Sequence, residues 1–207
     1  IKANQLRPAT LHYDAWLAKK PNAKEAVTGK LLLLDSQNKF AEASLLTQGY
    51  LNNRDDVQMQ LLHTYFLLMQ GDYPAAQKMY DVLPKSVLGL PLTKGFLARL
   101  QLNNELPELA LENALIAYTA SPNNKNLILV VSTYDLLERT DKTMELLKQH
   151  VEKQPTDLVA KMLLAERQIE LDATAAMATY EVALQQNPDN YVAINNLAYL
   201  YLQKGDI

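Results

Sequence analysis

Cysteine is absent from the 207 residues. That excludes disulfides, thiolate metal sites and cysteine nucleophiles, while leaving the redox compartment open. Glycine is scarce, with six residues, and Leu, Ala, Gln, Glu and Lys dominate, so helices are favoured over a turn-rich β fold. Charge of one sign is lacking too. A formal net charge of −3 offers no electrostatic footprint for nucleic acid. The longest aliphatic runs, Leu31–Leu34 and Leu127–Val131, fall far short of the roughly 20 apolar residues that cross a bilayer. What remains, 48% hydrophobic and 21% charged, is the composition of a globular chain rather than a disordered one. The sequence opens Ile1-Lys2 without an initiator Met and is expected to be a piece of a longer protein, any signal or anchor lying outside it.

What is present is a period. Pro122-Asn123-Asn124, Pro155-Thr156-Asp157 and Pro188-Asp189-Asn190 return with a constant step, and Pro21-Asn22 stands in the same frame. A fixed period of this length marks stacked supersecondary units. In the last copy, Asp189 and Asn190 offer capping oxygens ahead of a helix in which Ile194, Leu197, Ala198 and Tyr201 share one face. Gly205 ends that helix in a left-handed turn, with Asp206 placed to cap the next. Turns are expected at Asn38-Lys39, Gly71-Asp72, Asn104-Glu105, Thr140-Asp141, Leu171-Asp172 and Gly205-Asp206. Pro74 and Pro107 fall in first turns of helices, where a missing N–H costs nothing.

These residues resemble the tetratricopeptide repeat. Its first helix has a large apolar residue, Leu, a small residue and Tyr, matched by Ile194, Leu197, Ala198 and Tyr201. Its second helix has a small residue, an aromatic, another small residue and Pro. These appear here as Ala176, Tyr180, Ala183 and Pro188, with weaker copies at Ala110, Ala114, Ala117 and Pro122 and at Ala76, Tyr80 and Leu83. The resemblance implies an all-α, right-handed solenoid of stacked antiparallel helix pairs, a single array over 1–207. Pairs are expected near 24–53, 57–87, 91–121, 125–154 and 158–187, with an orphan second helix at 9–20 and an orphan first helix at 191–204. Lys30 stands where Leu is expected, and a shift in 57–70 brings Met59, Leu62, His63 and Phe66 onto the core face. Leu83 to Pro91 is irregular and predicts a kink. Leu127–Val131 would read as a buried strand alone; repeat phase makes it a helix.

Catalytic constellations are missing. His12, His63 and His150 sit in different repeats with no ligand spacing and no adjacent carboxylate pattern, and read as partly buried helix residues. No phosphate loop, nucleophile elbow or calcium loop occurs. Asp55-Asp56 reads as a helix cap. Lys142, Lys148, Lys153 and Lys161 interleave with Glu138, Glu145, Glu152 and Glu166 as a solvated mixed-charge face. No catalytic, cofactor or metal residue is expected.

The resemblance instead implies a protein- or peptide-binding concave face built from first-helix positions: Leu61, Tyr65 and Leu68; Arg99 and Asn103; Thr133; Met162, Glu166 and Ile169; Asn195, Tyr199 and Leu202. The Lys, Asn and Arg by which related arrays clamp acidic chaperone tails are replaced by Leu61, Gly95, Leu129 and Met162, so that mode is not expected. The phrasing around His12–Asn22 and Asn187–Ala198 is most similar to bacterial envelope proteins of this family, such as the repeat lipoproteins of exosortase (PEP-CTERM) and exopolysaccharide systems. That implies a scaffold for envelope assembly or export in the periplasm, with a cytoplasmic location as the alternative. Two other classes stay open: a non-catalytic arm of a larger enzyme such as a glycosyltransferase, and self-association through the stripe Ile194, Leu197 and Tyr201.

Overall fold

The computed structural model describes residues 3–52 and 54–205. Every regular element among them is a helix: α1 (Ala3–Lys19), α2 (Lys24–Ser36), α3 (Phe40–Leu51), α4 (Val57–Gln70), α5 (Tyr73–Asp81), α6 (Lys85–Leu88), α7 (Pro91–Asn103), α8 (Pro107–Ala120), α9 (Asn124–Leu136), α10 (Thr140–Lys153), α11 (Leu158–Gln168), α12 (Ala173–Gln186) and α13 (Tyr191–Lys204). The β-branched run in α9 is helical, its propensity overridden by burial of Leu127, Val130 and Val131. The expected irregularity after Leu83 is a break, with α5 ending at Asp81 and one short turn, α6, before α7. The chain divides into two compact units, residues 1–117 and 118–207. In the first, each helix from α1 to α5 packs on the next and α7 packs on α4 and α5; in the second, α9 to α13 pack successively.

The period is written in the backbone. Asn38, Gly71, Glu105 and Glu138 adopt positive φ at a near-constant step, and Gly205 does so two repeats later. At the first four, a second bond closes the turn. Lys39, Asp72, Leu106 and Arg139 donate their N–H to the carbonyls of Leu34, Leu67, Gln101 and Tyr134 at 2.9–3.0 Å, the pattern of a helix stopped by one left-handed residue. The turn expected at Thr140-Asp141 lies two positions earlier, at Glu138-Arg139. There a glutamate occupies the left-handed position, and Thr140 already starts α10. The pair α11–α12 turns without a left-handed residue: Ile169 stays right-handed and Asp172 caps α12 through the Ala175 N–H. Asp206 lies outside the described residues.

Three first helices, α9, α11 and α13, start with an acid or amide cap shortly after a proline, whereas α2, after Pro21-Asn22, has Ala23 at its cap position and no side-chain cap. Asn123, Asp157 and Asn190 accept from the N–H of Asn126, Ala160 and Ala193, and Asp56 from that of Met59; each such cap contributes about 1 kcal/mol. Two capping acids also tie successive pairs together. Asp56 accepts from Lys24 at 2.7 Å at the start of α2. Asp157 accepts from the wholly buried His150 at 3.0 Å, and His150 meets the Tyr118 hydroxyl at 2.7 Å through its other nitrogen. His150 is thus no isolated helix residue: a carboxylate seven positions on and a tyrosine 32 positions back enclose it. His12 departs the other way. It is exposed on α1, edge-on to the rings of Tyr13 and Trp16.

A second contact recurs with a spacing of sixteen. Tyr13 lies on Gly29, where an added methyl would come within 2.3 Å of its ring atoms. Thr47 meets His63 at 2.8 Å. Tyr80 shares a core cluster with Phe96, and the Tyr180 hydroxyl accepts from Asn196 at 2.8 Å. Each joins a second helix to the first helix of the next pair. Beside the first of them, the departure at Lys30 is explained by an ion pair with Asp14 of α1.

The left-handed turn and the buried imidazole can each be tested. A side chain at φ 55° costs roughly 1–2 kcal/mol, offset by the roughly 0.5–1 kcal/mol of chain entropy that glycine brings. Glu138→Gly should therefore stabilise by about 0.5–1 kcal/mol and raise Tm by about 1–4 °C; an unchanged or lower Tm in calorimetry refutes the assignment. Burial, partly opposed by the Ser44 backbone, holds the His63 imidazole below its ordinary value. Its folded pKa being depressed, its contribution is full above pH 6.5 and is lost as pH falls from 6.5 through the folded value. Urea unfolding from pH 7.5 to 5 should show a shallower loss of stability in His63→Gln than in the native chain; parallel profiles would contradict it.

Candidate protein-binding face

In the first unit, α4 and α7 are first helices of successive pairs, and the space between them is a cleft. Gln58, Leu61, Leu62 and Tyr65 of α4 and Leu92 and Phe96 of α7 enclose about 360 Å³. Its walls are apolar, and Leu92 is 53% exposed at the mouth. The Tyr65 ring is held edge-on to Phe66, 5.0 Å between centroids, and tilted against Phe96 at 6.4 Å. The Tyr65 hydroxyl donates to Asp35 of α2 at 2.6 Å. Burial first, then that bond to a carboxylate, pushes the Tyr65 phenol far above its ordinary range. It is a neutral anchor at any physiological pH. Burial lowers the neighbouring Arg99 guanidinium, against the opposing pull of Tyr65 and Tyr73.

The expected positions thus separate into distinct fates. Leu61 and Tyr65 are brought together in the cleft, with Arg99 electrostatically coupled to Tyr65. Asn103 is exposed at the end of α7. Leu68 is a correction: at 4% exposure it packs with Tyr80, Phe96 and Leu100 in the core and offers nothing to a partner. Thr133 is likewise buried, its hydroxyl donating to the Leu129 carbonyl.

The second unit carries the rest on two helices. On α11, Met162 packs against the cluster around Tyr180, Ile169 is half-buried and Glu166 is exposed. Beside them Arg167 donates to Asp135 of α9 at 2.5 Å, and Asp135 also accepts from Thr143 at 3.1 Å. On α13, Asn195 is exposed; Tyr199 and Leu202 stand 55% and 63% exposed. Sequence reasoning missed Leu92 and Phe96, because a cleft between two helices is not a property of either helix's positions. It also missed exposed Leu136, which the repeat period places in line with Ile169 and Leu202. Among the described residues no group of three or more His, Asp or Glu side chains could hold a metal, and no helix is long and apolar enough to cross a membrane.

Residues 179–207 match the tetratricopeptide repeat family model. No curated protein matches the sequence significantly. Solved structures do. The Cut9–Hcn1 hetero-tetramer of the APC/C aligns with a TM-score of 0.73 at 14% identity, over 95% of this chain and 40% of that one. A thermophilic repeat protein of Thermus thermophilus aligns at 0.67 and 19% identity, over 87% and 100%. A tetratricopeptide repeat protein from Parabacteroides merdae aligns at 0.65 and 12% identity, over 97% and 81%. This chain therefore spans less than half of the Cut9–Hcn1 chain it matches. With the turns, caps and helix pairs described above, the chain has the all-helical fold of tetratricopeptide-type repeat arrays.

Proposed function

We propose that the chain is a non-catalytic protein-interaction scaffold that seats a large apolar side chain of a partner segment between α4 and α7. The carrying observation is the apolar cleft itself, preformed by Leu61, Leu62, Tyr65, Leu92 and Phe96. Aromatic and aliphatic walls with few polar atoms suit a buried anchor, which supplies most of the energy at such interfaces. Met162, Glu166, Asn195, Tyr199 and Leu202 form a separate first-helix surface that contacts the same or a second partner. The resemblance of the repeats to envelope lipoproteins supports a role in envelope or exopolysaccharide assembly or export.

Self-association is the competing use. Ile194 of α13 is 40% exposed, whereas Lys161, one repeat earlier, is covered by α12. A random dodecapeptide library panned on the chain separates the two readings. Selected peptides should share a Phe, Trp or Leu anchor, and Phe96→Ala with Leu61→Ala should weaken them at least tenfold while helix content is kept. Peptides without an anchor, or unaffected by those variants, would overturn the cleft reading. A sedimentation mass that rises with concentration, and persists with peptide bound, would favour self-association.

A further inference from the structure

We propose that the pocket between α10 and α12 binds a small ω-amino acid, holding its carboxylate and its ammonium at opposite ends of an apolar stretch. The site lies apart from the α4–α7 cleft and does not depend on it. Asp141, Met144 and Lys148 of α10 line one wall; Gln168 of α11, with Leu171 and Asp172 in the turn before α12, lines the other. They enclose about 420 Å³, room for about fourteen heavy atoms at roughly 30 Å³ each.

A buried amide points to a ligand. Gln168 is 7% exposed, and its oxygen accepts from the Thr179 hydroxyl at 2.7 Å. Its amide nitrogen has no partner among the described residues and is not sealed off from the pocket that the residue lines. A donor in such a place gains from an acceptor brought to it. The charges say what carries that acceptor. Lys148 has no ion-pair or hydrogen-bond partner among the described residues. Nor does Asp141, whose neighbour Lys142 is paired with Glu145 at 3.0 Å. Asp172 uses one oxygen on the Ala175 N–H at 2.9 Å and keeps the other. Lys148 lies seven positions beyond Asp141, and Thr179, which holds Gln168, lies seven beyond Asp172. Both second helices run the same way, so the two aspartates share one end of the pocket, and Lys148 and Gln168 the other. Two helical turns set the ends roughly 10 Å apart. A ligand carboxylate accepts from Lys148 and from the Gln168 amide, its ammonium sits at the aspartates, and its methylenes cover Met144 and Leu171. A ligand with only one of the charges leaves one end unpaired.

The test titrates 6-aminohexanoate into the native chain, beside hexanoate and hexylamine, which each lack one of its charges. NMR should show saturable shifts at the Met144 methyl and the Gln168 side-chain amide, with a Kd on the order of 1 mM. The two singly charged probes should bind roughly threefold more weakly or worse. Lys148→Met, at an exposed position without a partner, should erase the preference over hexylamine and keep the preference over hexanoate; Asp141→Asn should weaken 6-aminohexanoate while the fold is kept. Absence of shifts at those two groups, equal response to the three probes, or unchanged binding in both variants overturns the site. Tighter binding of N-α-acetyl-lysine, which mimics the end of a protein chain, would overturn the assignment to a small molecule.

Discussion

The contact on which the stacking rests joins a second helix to the residue sixteen positions on, in the next first helix. Tyr13 on Gly29, Thr47 on His63 and Tyr180 on Asn196 are three chemical versions of one contact, and Tyr80 shares a core cluster with Phe96 at the same spacing. A single pair cannot bury its apolar stripe, so each pair needs its neighbour. The partner of a tyrosine ring differs from copy to copy: glycine at 29 leaves room for Tyr13, Phe96 shares the core with Tyr80, and the Asn196 amide reaches the Tyr180 phenol. Where a threonine stands instead, a buried neutral histidine fills the space. Alanines at Ala26, Ala43, Ala76, Ala160, Ala176 and Ala193 are fully buried and let the helices come close enough for these contacts.

Polar groups complete the register. The capping carboxylates Asp56 and Asp157 are each shared between their own helix and an earlier pair, so losing either one removes both a cap and a tie between pairs. The buried string Tyr118–His150–Asp157 has a partner on each imidazole nitrogen, which satisfies a polar group that would otherwise be costly in a dry interior. With the second helices committed to stacking, the first helices have side chains to spare, and in the first unit two of them part enough to leave an apolar cleft.

Much of this was legible in the sequence. The proline period placed the helices, and Gly71, Gly205, Asp157 and Asn190 announced stops and starts by residue type alone. Glu138 did not, because a glutamate carries no turn signal, and Asp141 drew the expected turn two positions late. His150 looked solitary because its partners, Asp157 and Tyr118, lie across two separate turns. Leu68 and Thr133 followed the family's surface positions yet are buried, since local rotation of a helix depends on what packs beside it. The cleft was half legible: Leu61 and Tyr65 came from repeat phase, whereas Leu92 and Phe96 emerge only when two helices are set side by side. Trp16 stands in α1 where the second-helix pattern has a small residue, five repeats before Ala183, and nothing in the structure explains the substitution.

The central claim is that the first helices, not the second, receive a partner. Hydrogen exchange of the chain with and without a selected anchor-bearing peptide tests it directly. The account predicts new protection confined to α4 and α7, with α5 and α8 unchanged. Protection concentrated on α5 or on α10 and α12, with α4 and α7 exchanging as before, would contradict it.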